Sequence, residues 1–236
     1  YEGHVVGGCV RDILMGREPK DWDITTNAKP EEIQKIFTNN VYENEFGTVG
    51  VKTGSDNPDL AIVEITPYRI EGKYTDKRHP DKIQFAKTLE EDLSRRDFTI
   101  NSLAMDAEGK IVDMFDGQND IKSSVIRTVG KPEERFSEDA LRLLRAVRFA
   151  TILGFKIEDK TLKTIRESNE WLQAISKERI RDEFVKIIES DNAYEGILLL
   201  EEAGLLQHIV PELREGINIG QNLHHIYTVW EHNLLA

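Results

Sequence analysis

The N-terminal part of the chain alternates short strand-like runs with segments of helical periodicity. Runs of β-type residues predict strands at 4–6, 21–25, 48–53, 60–66, 83–85 and 111–114. A glycine pair precedes a helical pattern over 10–15, and Pro30 starts a helix whose Ile33, Ile36 and Phe37 share one face. This alternation predicts a mixed sheet flanked by helices.

The pattern changes at about Phe136. From there to Gly204, Ala, Leu, Arg and Glu dominate, and apolar residues recur with a period near 3.6, which predicts an entirely helical second half. Between Thr66 and Leu93 the chain is rich in Lys, Asp, Tyr and Gly and predicts a long mobile loop ahead of the strand at 83–85.

Composition and charge narrow the class of protein. The chain has 236 residues, of which 39% are hydrophobic and 31% charged, which is typical of a soluble globular protein. Lys and Arg number 31 against 43 Asp and Glu, and the net charge of −12 argues against a protein that coats nucleic acid through bulk positive charge. Any polyanionic partner must therefore be bound by local clusters of cations.

The remaining sequence features concern the cellular location of the protein and whether the chain is complete. The single cysteine, Cys9, and the lack of a stretch of about 20 apolar residues indicate a reducing cytoplasm and no membrane span. Because the chain begins at Tyr1 without a methionine and stops in an apolar helical pattern at Leu234, we expect it to be a piece of a longer protein.

Two glycines and an arginine form the first candidate site. Gly7 and Gly8 lie between an apolar strand and a helix, where backbone amides can approach a phosphate, and Arg11 follows one turn later. The pair also fits an ordinary strand–turn–helix.

Three acids form the second candidate site. Asp21 and Asp23 alternate with Trp22 in an extended segment, so both carboxylates should point to one side and reach one or two hard cations, for which Mg²⁺ is the natural candidate. Glu64 interrupts an apolar strand, and it either faces solvent on an edge or is paired with a positive group. If it is buried beside a metal site, it would complete a carboxylate cluster. The alternative for the aspartates is a solvated strand face. The glycine pair followed by the alternating aspartates, in this order, favours the functional interpretation.

Arginines mark two further segments. Arg95 and Arg96 precede Asp97, an arrangement that can present guanidinium groups to phosphates while the acid holds one in place. Farther along, an otherwise apolar helical segment carries charge at every third position. These positions are Asp139, Arg142, Arg145 and Arg148. They are either the helix's solvent face or a site for a base edge and a triphosphate, and the absence of Lys, Glu and Gln among them favours the site.

Five motifs in a fixed order cover nearly the whole chain. They are Gly7-Gly8-x-Val10-Arg11-Asp12, Asp21-x-Asp23, Arg95-Arg96-Asp97-Phe98-Thr99-Ile100-Asn101, Glu138-Asp139-x-x-Arg142 and Ile175-Ser176-x-Glu178-Arg179-Ile180. Together they resemble the class II tRNA nucleotidyltransferases, the bacterial CCA-adding enzymes, with the bacterial poly(A) polymerases as close relatives.

The resemblance implies an α+β fold. A polymerase-β-like nucleotidyltransferase head with a mixed five-stranded sheet would occupy residues 1–130, and a helical neck for base recognition residues 131–190. A helical body, with the start of an HD-type domain, would occupy residues 191–236. That last expectation rests on the segment from Gln221 to His232, which resembles the opening of an HD-type metal hydrolase but lacks the characteristic His-Asp pair. Its histidines are therefore predicted to be packing and capping residues.

The resemblance also implies a role for each motif. Asp21 and Asp23 match the acids that bind two Mg²⁺ ions, and Glu64 matches an acid placed near the metals. Nucleotide binding is implied for Gly7, Gly8, Arg11, Arg96 and Asn101. Asp139 and Arg142 match the pair that reads the base, Arg145 and Arg148 match arginines on the same nucleotide, and the segment from Ile175 to Phe184 matches a helix that braces the neck.

The function implied is transfer of nucleotides from CTP and ATP to the 3′ end of tRNA without a template. The completeness of the loop between Glu64 and Arg95 favours an enzyme able to add A, and the absence of a basic run over 42–51 disfavours poly(A) polymerase. Poly(A) polymerase and CC-adding enzyme remain alternatives. More remote ones are a non-catalytic RNA-binding module and an HD phosphohydrolase with an accessory head.

Overall fold

A computed structural model describes residues 1–42, 47–71, 83–222 and 226–235. The chain divides into two compact units. We call them the sheet unit, which holds the described residues up to Ser123 together with Arg127–Gly130, and the helical unit, which holds Ser124–Ile126 and the described residues from Lys131 onward.

The sheet unit is built on a mixed sheet, which in the described ranges has seven strands in the order β3-β4-β5-β2-β1-β8-β9. A separate hairpin is formed by β6 and β7. The strands are β1 (Gly3–Val6), β2 (Asp23–Thr26), β3 (Asn40–Tyr42), β4 (Val49–Lys52), β5 (Ile62–Pro67), β6 (Arg69–Glu71), β7 (Ile83–Phe85), β8 (Leu103–Met105) and β9 (Ile111–Asp113). The helices are α1 (Gly8–Leu14), α2 (Pro30–Ile36), α3 (Leu89–Ser94) and α4 (Gly117–Ser123).

The register of the central strands brings two predicted site residues side by side. β2 runs antiparallel to β1 and parallel to β5, and Asp23 is paired with Glu64 across the parallel ladder. Side chains alternate between the two sheet faces, so Ile24 packs against the apolar cluster of Ile33 and Val49 on the face opposite to Asp23. The chemistry-bearing positions thus share the face on which α3 lies.

The helical unit contains α5 (Pro132–Glu138), α6 (Leu141–Leu153), α7 (Asp159–Ser168), α8 (Lys177–Ile188), α9 (Ala193–Glu202), α10 (Leu206–Ile209), α11 (Pro211–Arg214) and α12 (Val229–Leu235). Its central helix is α6, whose Leu143, Leu144, Ala146 and Val147 have no solvent exposure. α8 and α9 pack against α6. This unit also has two short parallel strands, β10 (Val125–Ile126) and β11 (Lys156–Ile157).

The predicted fold class is confirmed, with three differences in detail. The sheet has seven strands in the described ranges, against the five that were implied. The second half is not wholly helical, since β11 pairs with β10. Ile36 and Phe37 do not share the burial of Ile33, being 55% and 40% exposed against 2%.

Some sequence-based predictions lie outside the described residues. They concern residues 72–82 of the loop predicted between Thr66 and Leu93, which include a candidate cluster of cations at 73, 77, 78 and 82, and the histidines at 224 and 225. The domain boundaries at 130 and 190 and the HD-type start stay predictions. No helix in the described ranges combines the length and apolar character needed to cross a bilayer.

Close packing of three helices depends on Gly196 in α9. A Cβ atom built at this residue would lie 2.6 Å from Cγ2 of Ile187 in α8 and 2.8 Å from Cγ2 of Thr151 in α6. Both distances are shorter than a carbon–carbon contact allows, so the absence of a side chain lets α9 approach both neighbours.

We therefore expect Gly196→Ala to destabilise the protein by about 1–2 kcal/mol. Overpacking costs roughly 1–3 kcal/mol, and the higher helix propensity of alanine offsets part of that. Urea denaturation measures the difference. Glu195→Ala, at the exposed neighbouring position, is the matched control and should change stability little. Equal stability of Gly196→Ala and the wild type would contradict the packing argument.

Candidate active site

Gly7 makes the turn between β1 and α1 and can only be glycine without strain. Its φ of 77° and ψ of −132° lie in a region that other residues avoid. A Cβ atom there would lie 2.9 Å from Nη1 of Arg96. The first glycine of the predicted pair thus lets the guanidinium group of Arg96 lie directly against the backbone of the turn.

Arg11 connects the glycine turn to the third motif. Its side chain is largely buried, its Nη1 donates to Oδ1 of Asn101 at 2.7 Å, and its Nε donates to Oδ1 of Asp12 at 2.9 Å. Asn101 in turn donates to Oδ1 of Asp97 at 3.4 Å. The structure therefore brings Gly7, Arg11, Arg96 and Asn101 together, although 90 positions separate Arg11 from Asn101.

The three acids line one open cavity of about 550 Å³. Asp21 lies just before β2, Asp23 is its first residue, and Glu64 is the ladder partner of Asp23. Glu64 does not lie at an edge of the sheet, which excludes the first of its predicted positions. It lies on an interior strand of the sheet, yet its side chain is exposed.

The environment of Asp23 disfavours its charged form. Burial raises the pKa of this carboxyl above its ordinary value, the guanidinium of Arg96 lowers it, and the neighbouring charge of Asp21 raises it. A cation placed between Asp21 and Asp23 would relieve both the burial and the repulsion.

Asp21 and Asp23 fit a magnesium ion better than a metal ion that takes all of its ligands from the protein. Among the described residues, no three His, Cys, Asp or Glu side chains stand close enough together to hold a metal. Mg²⁺ characteristically takes one or two carboxylates and completes its shell with water and substrate phosphates. The pair of Asp21 and Asp23 offers that donor set.

A second cavity, of about 340 Å³, adjoins the first along the shared side chains of Asp23 and Glu64. Besides these two acids, three arginines line it, namely Arg69, Arg95 and Arg96. Carboxylates and guanidinium groups thus border the same space, as transfer of a phosphate group requires.

Asp139 is not part of the helix on which its spacing places it. It ends α5, and its Oδ1 accepts a hydrogen bond from the backbone N–H of Leu141 at 3.0 Å, so that it caps α6. Its Oδ2 accepts from Nη2 of Arg179 in α8 at 2.8 Å. Asp139 is therefore held by two donors.

Arg142 and Asp139 lie one turn apart and are joined through the backbone, where Arg142 N–H donates to Asp139 C=O at 3.0 Å. The side chain of Arg142 is buried, and its Nη1 donates to Glu138 at 2.5 Å and to the carbonyl of Arg135 at 3.2 Å. The structure brings the predicted base-reading pair together and fixes each member separately.

Arg145 and Arg148 share one acid. Arg148 Nε lies 2.5 Å and Arg145 Nη1 lies 4.0 Å from the carboxylate of Glu183, which is only 5% exposed. Arg148 also stacks on Phe149, with 3.9 Å between its guanidinium carbon and the ring centroid. A plain solvent face is thus the wrong description of these arginines. The segment from Ile175 to Phe184 supplies both Arg179 and Glu183, in keeping with a bracing helix.

Sequence reasoning missed the acids that hold the arginines. Asp92 pairs with both Arg95 and Arg96, a task that the sequence suggested for Asp97. Its position near the end of a helix, three and four residues before the two arginines, is the signal that could have identified it. Glu183 lies 35 positions after Arg148 and 38 after Arg145, and it carries no local signal.

A third cavity, of about 360 Å³, contains none of these residues. Its lining is mostly apolar, includes Ile24, Ile33 and Ile65, and lies on the opposite face of the sheet.

Two family descriptions match the chain. Residues 3–127 match the Poly A polymerase head domain, and residues 154–217 match the probable RNA and SrmB-binding site of polymerase A. The chain belongs to the Poly A polymerase head domain family.

Several proteins to which the chain is similar are CCA-adding enzymes. That of Lactobacillus helveticus (strain DPC 4571) is 50% identical over 188 residues, which make up 79% of this chain and 46% of the relative. The crystal structure of the Bacillus stearothermophilus CCA-adding enzyme in complex with CTP has a TM-score of 0.78 at 40% identity, and the match covers 86% of this chain and 48% of that one. A Thermotoga maritima CCA-adding enzyme complexed with tRNA has a TM-score of 0.72 at 27% identity, covering 89% and 48%. The chain spans about half the length of these relatives.

The close approach at the glycine turn gives a direct test. Gly7→Ala should destabilise the protein by about 1–3 kcal/mol, because it forces a side chain into a glycine-only backbone conformation and against Arg96. Gly8→Ala is the matched control, since a Cβ atom there would meet Arg11 Nη2 at an ordinary 3.5 Å. Denaturant unfolding of both variants is the measurement. A Gly7→Ala variant as stable as the wild type would show that the turn tolerates a side chain.

Proposed function

We propose that the protein is a tRNA nucleotidyltransferase that adds CCA, or its terminal A, to the 3′ end of tRNA, taking CTP and ATP and releasing pyrophosphate. The observation that carries this proposal is the meeting of Asp21, Asp23 and Glu64 with the guanidinium groups of Arg69, Arg95 and Arg96 along two adjoining cavities. The similarity to CCA-adding enzymes, one of them in complex with CTP and another with tRNA, supports the choice of substrates.

Asp21 and Asp23 are the residues that would hold two Mg²⁺ ions. When bound, such ions lower the pKa of the attacking ribose hydroxyl and stabilise the charge that develops on the transferred phosphate. The repulsion and burial that raise the pKa of Asp23 give the pair an intrinsic preference for a cation.

The remaining residues of the sheet unit bind and orient the triphosphate. The backbone at Gly7 and Gly8 lets a phosphate approach closely, and Arg11 and Arg96 neutralise its charge. Asn101 orients Arg11 through the hydrogen bond between them. The exposed carboxylate of Glu64 accepts or orients the proton of the attacking hydroxyl group.

Base recognition is assigned to the helical unit. Cytosine and adenine both offer an amino donor beside a ring-nitrogen acceptor, which the carboxylate of Asp139 and the guanidinium of Arg142 match. Uracil and guanine present a carbonyl oxygen at the position of that amino group, and repulsion between two acceptors rejects them. Arg145 and Arg148 contact the same nucleotide in this proposal.

Poly(A) polymerase is the second candidate, because the matched family carries that description. Incubating the protein with tRNAs that end at the discriminator base, at C and at CC, with each labelled NTP, separates the two. Stepwise addition that stops after A supports a CCA-adding or A-adding enzyme, addition of C alone a CC-adding one, and long runs of A a polymerase. Absence of any addition would favour an RNA-binding module or an HD phosphohydrolase with an accessory head.

We expect Asp21→Asn and Asp23→Asn to reduce nucleotide addition by about 10³-fold or more, because each removes a charge that the transition state requires. Single-turnover rates at saturating Mg²⁺ measure the loss. Asp59→Asn is the matched control, since Asp59 lines the same cavity without a proposed role and should keep its rate. Near-normal rates for either of the first two variants would remove the pair from the mechanism.

We expect Asp139→Asn to relax discrimination against UTP and GTP. Asparagine still caps α6, yet its amide can donate to a carbonyl, and one good polar pair is worth roughly 1–3 kcal/mol of discrimination. Arg142→Ala should instead weaken use of CTP and ATP with little gain for the other bases. The measurement is kcat/KM for all four NTPs. An unchanged selectivity ratio in both variants would show that the pair only positions the helix or a phosphate.

A further inference from the structure

Asp92, in α3, is a fully buried carboxylate surrounded by donors. Its Oδ1 accepts from Nε and Nη2 of Arg95 at 3.1 and 2.7 Å, and its Oδ2 accepts from Nη2 of Arg96 at 3.3 Å. It also accepts from the backbone N–H of Arg69 at 3.1 Å and from Oγ1 of Thr25 at 3.4 Å. A single side chain thus connects α3 with β2, the strand of Asp23, and with the start of β6.

The charge of Asp92 is stable in this position. Burial opposes ionisation, but Arg95 and Arg96 outweigh it and hold the pKa of Asp92 below its usual value. The carboxylate therefore stays ionised at neutral pH and keeps its hold on both guanidinium groups.

The contact with Asp92 determines the position of the Arg96 side chain. On one side its Nη2 meets Asp92, and on the other its Nη1 lies against the backbone of Gly7. Its guanidinium charge acts on Asp23. An arginine side chain has many rotamers, and fixing it in advance removes an entropy loss that a ligand would otherwise incur.

We infer that Asp92 is a positioning residue, which fixes Arg96 against the Gly7 turn so that this arginine of the cavity lining is in place before a nucleoside triphosphate binds. This inference rests on the role proposed above for Arg96. Asp92 itself has no solvent exposure and does not touch the substrate.

Equilibrium binding of CTP in the presence of Mg²⁺ and without tRNA tests this, because no turnover takes place. Asp92→Asn should weaken CTP binding by about 10- to 100-fold, by analogy with the loss of affinity when the supporting partner of a metal ligand is removed. Asp120→Asn is the matched control. Asp120 is also a buried carboxylate of the sheet unit, holding Thr99 and Arg127, and its variant should lose stability while keeping its affinity for CTP.

A double-mutant cycle separates a positioning role from general damage. If Asp92 acts through Arg96, adding Asp92→Asn to Arg96→Ala should weaken CTP binding little further. An equal loss in both backgrounds, or wild-type affinity of Asp92→Asn beside a weakened Arg96→Ala, would overturn the inference alone. Normal affinity of Arg96→Ala would overturn the proposed role of Arg96 and this inference with it.

A measurement on the wild-type protein avoids the risk that a variant fails to fold. The Nε–H group of Arg96 should be rigid on the picosecond-to-nanosecond timescale by ¹⁵N relaxation before CTP is added, and it should change little afterwards. A mobile Arg96 side chain that becomes ordered only with CTP would show that Asp92 does not fix it.

Discussion

Arginines that leave solvent need acids buried beside them, and this constraint shapes both units. Taking a charge out of water costs several kcal/mol, which is recovered only if a well-placed counter-charge and hydrogen bonds replace the water. In the sheet unit Asp92 meets this requirement for Arg95 and Arg96, and in the helical unit Glu183 meets it for Arg145 and Arg148. The elements that carry these acids, α3 and α8, are therefore as necessary to the arginines as the helix or turn on which the arginines lie.

Two aspartates of the sheet unit, the buried Asp92 and the half-buried Asp23, have opposite environments, and this contrast separates a supporting role from a chemical one. Asp92 is surrounded by donors and its pKa is lowered, whereas burial and Asp21 raise the pKa of Asp23. A saturated carboxylate gains little from a metal ion, while one whose charge is poorly compensated gains much. The same cavity can thus hold arginines firmly at one side and attract a divalent cation at the other.

Much of this arrangement follows from local sequence. The strand around Asp23, the glycine turn and the strand of Glu64 are predicted by apolar runs and spacing, because side-chain alternation and φ above zero are local properties. The exposure of Glu64 on an interior strand could not be predicted in this way, because it depends on the cavity that lies above this position of the sheet. The capping of α6 by Asp139 was hidden by the regular three-residue spacing, which suggested a continuous helix.

Rigidity of Asp139 explains how one carboxylate can select for an amino group in the proposed reaction. Its two oxygens offer about four acceptor positions, and the described donors, the N–H of Leu141 and the guanidinium of Arg179, fix its orientation while using two of them. A carboxylate that could turn away would lose contact with an amino group and avoid a carbonyl oxygen equally well, so it would discriminate weakly. A carboxylate that is held in place binds a hydrogen-bond donor and repels an acceptor. Because the two anchoring donors come from α6 and α8, selectivity of this kind depends on the packing of those helices as much as on the carboxylate.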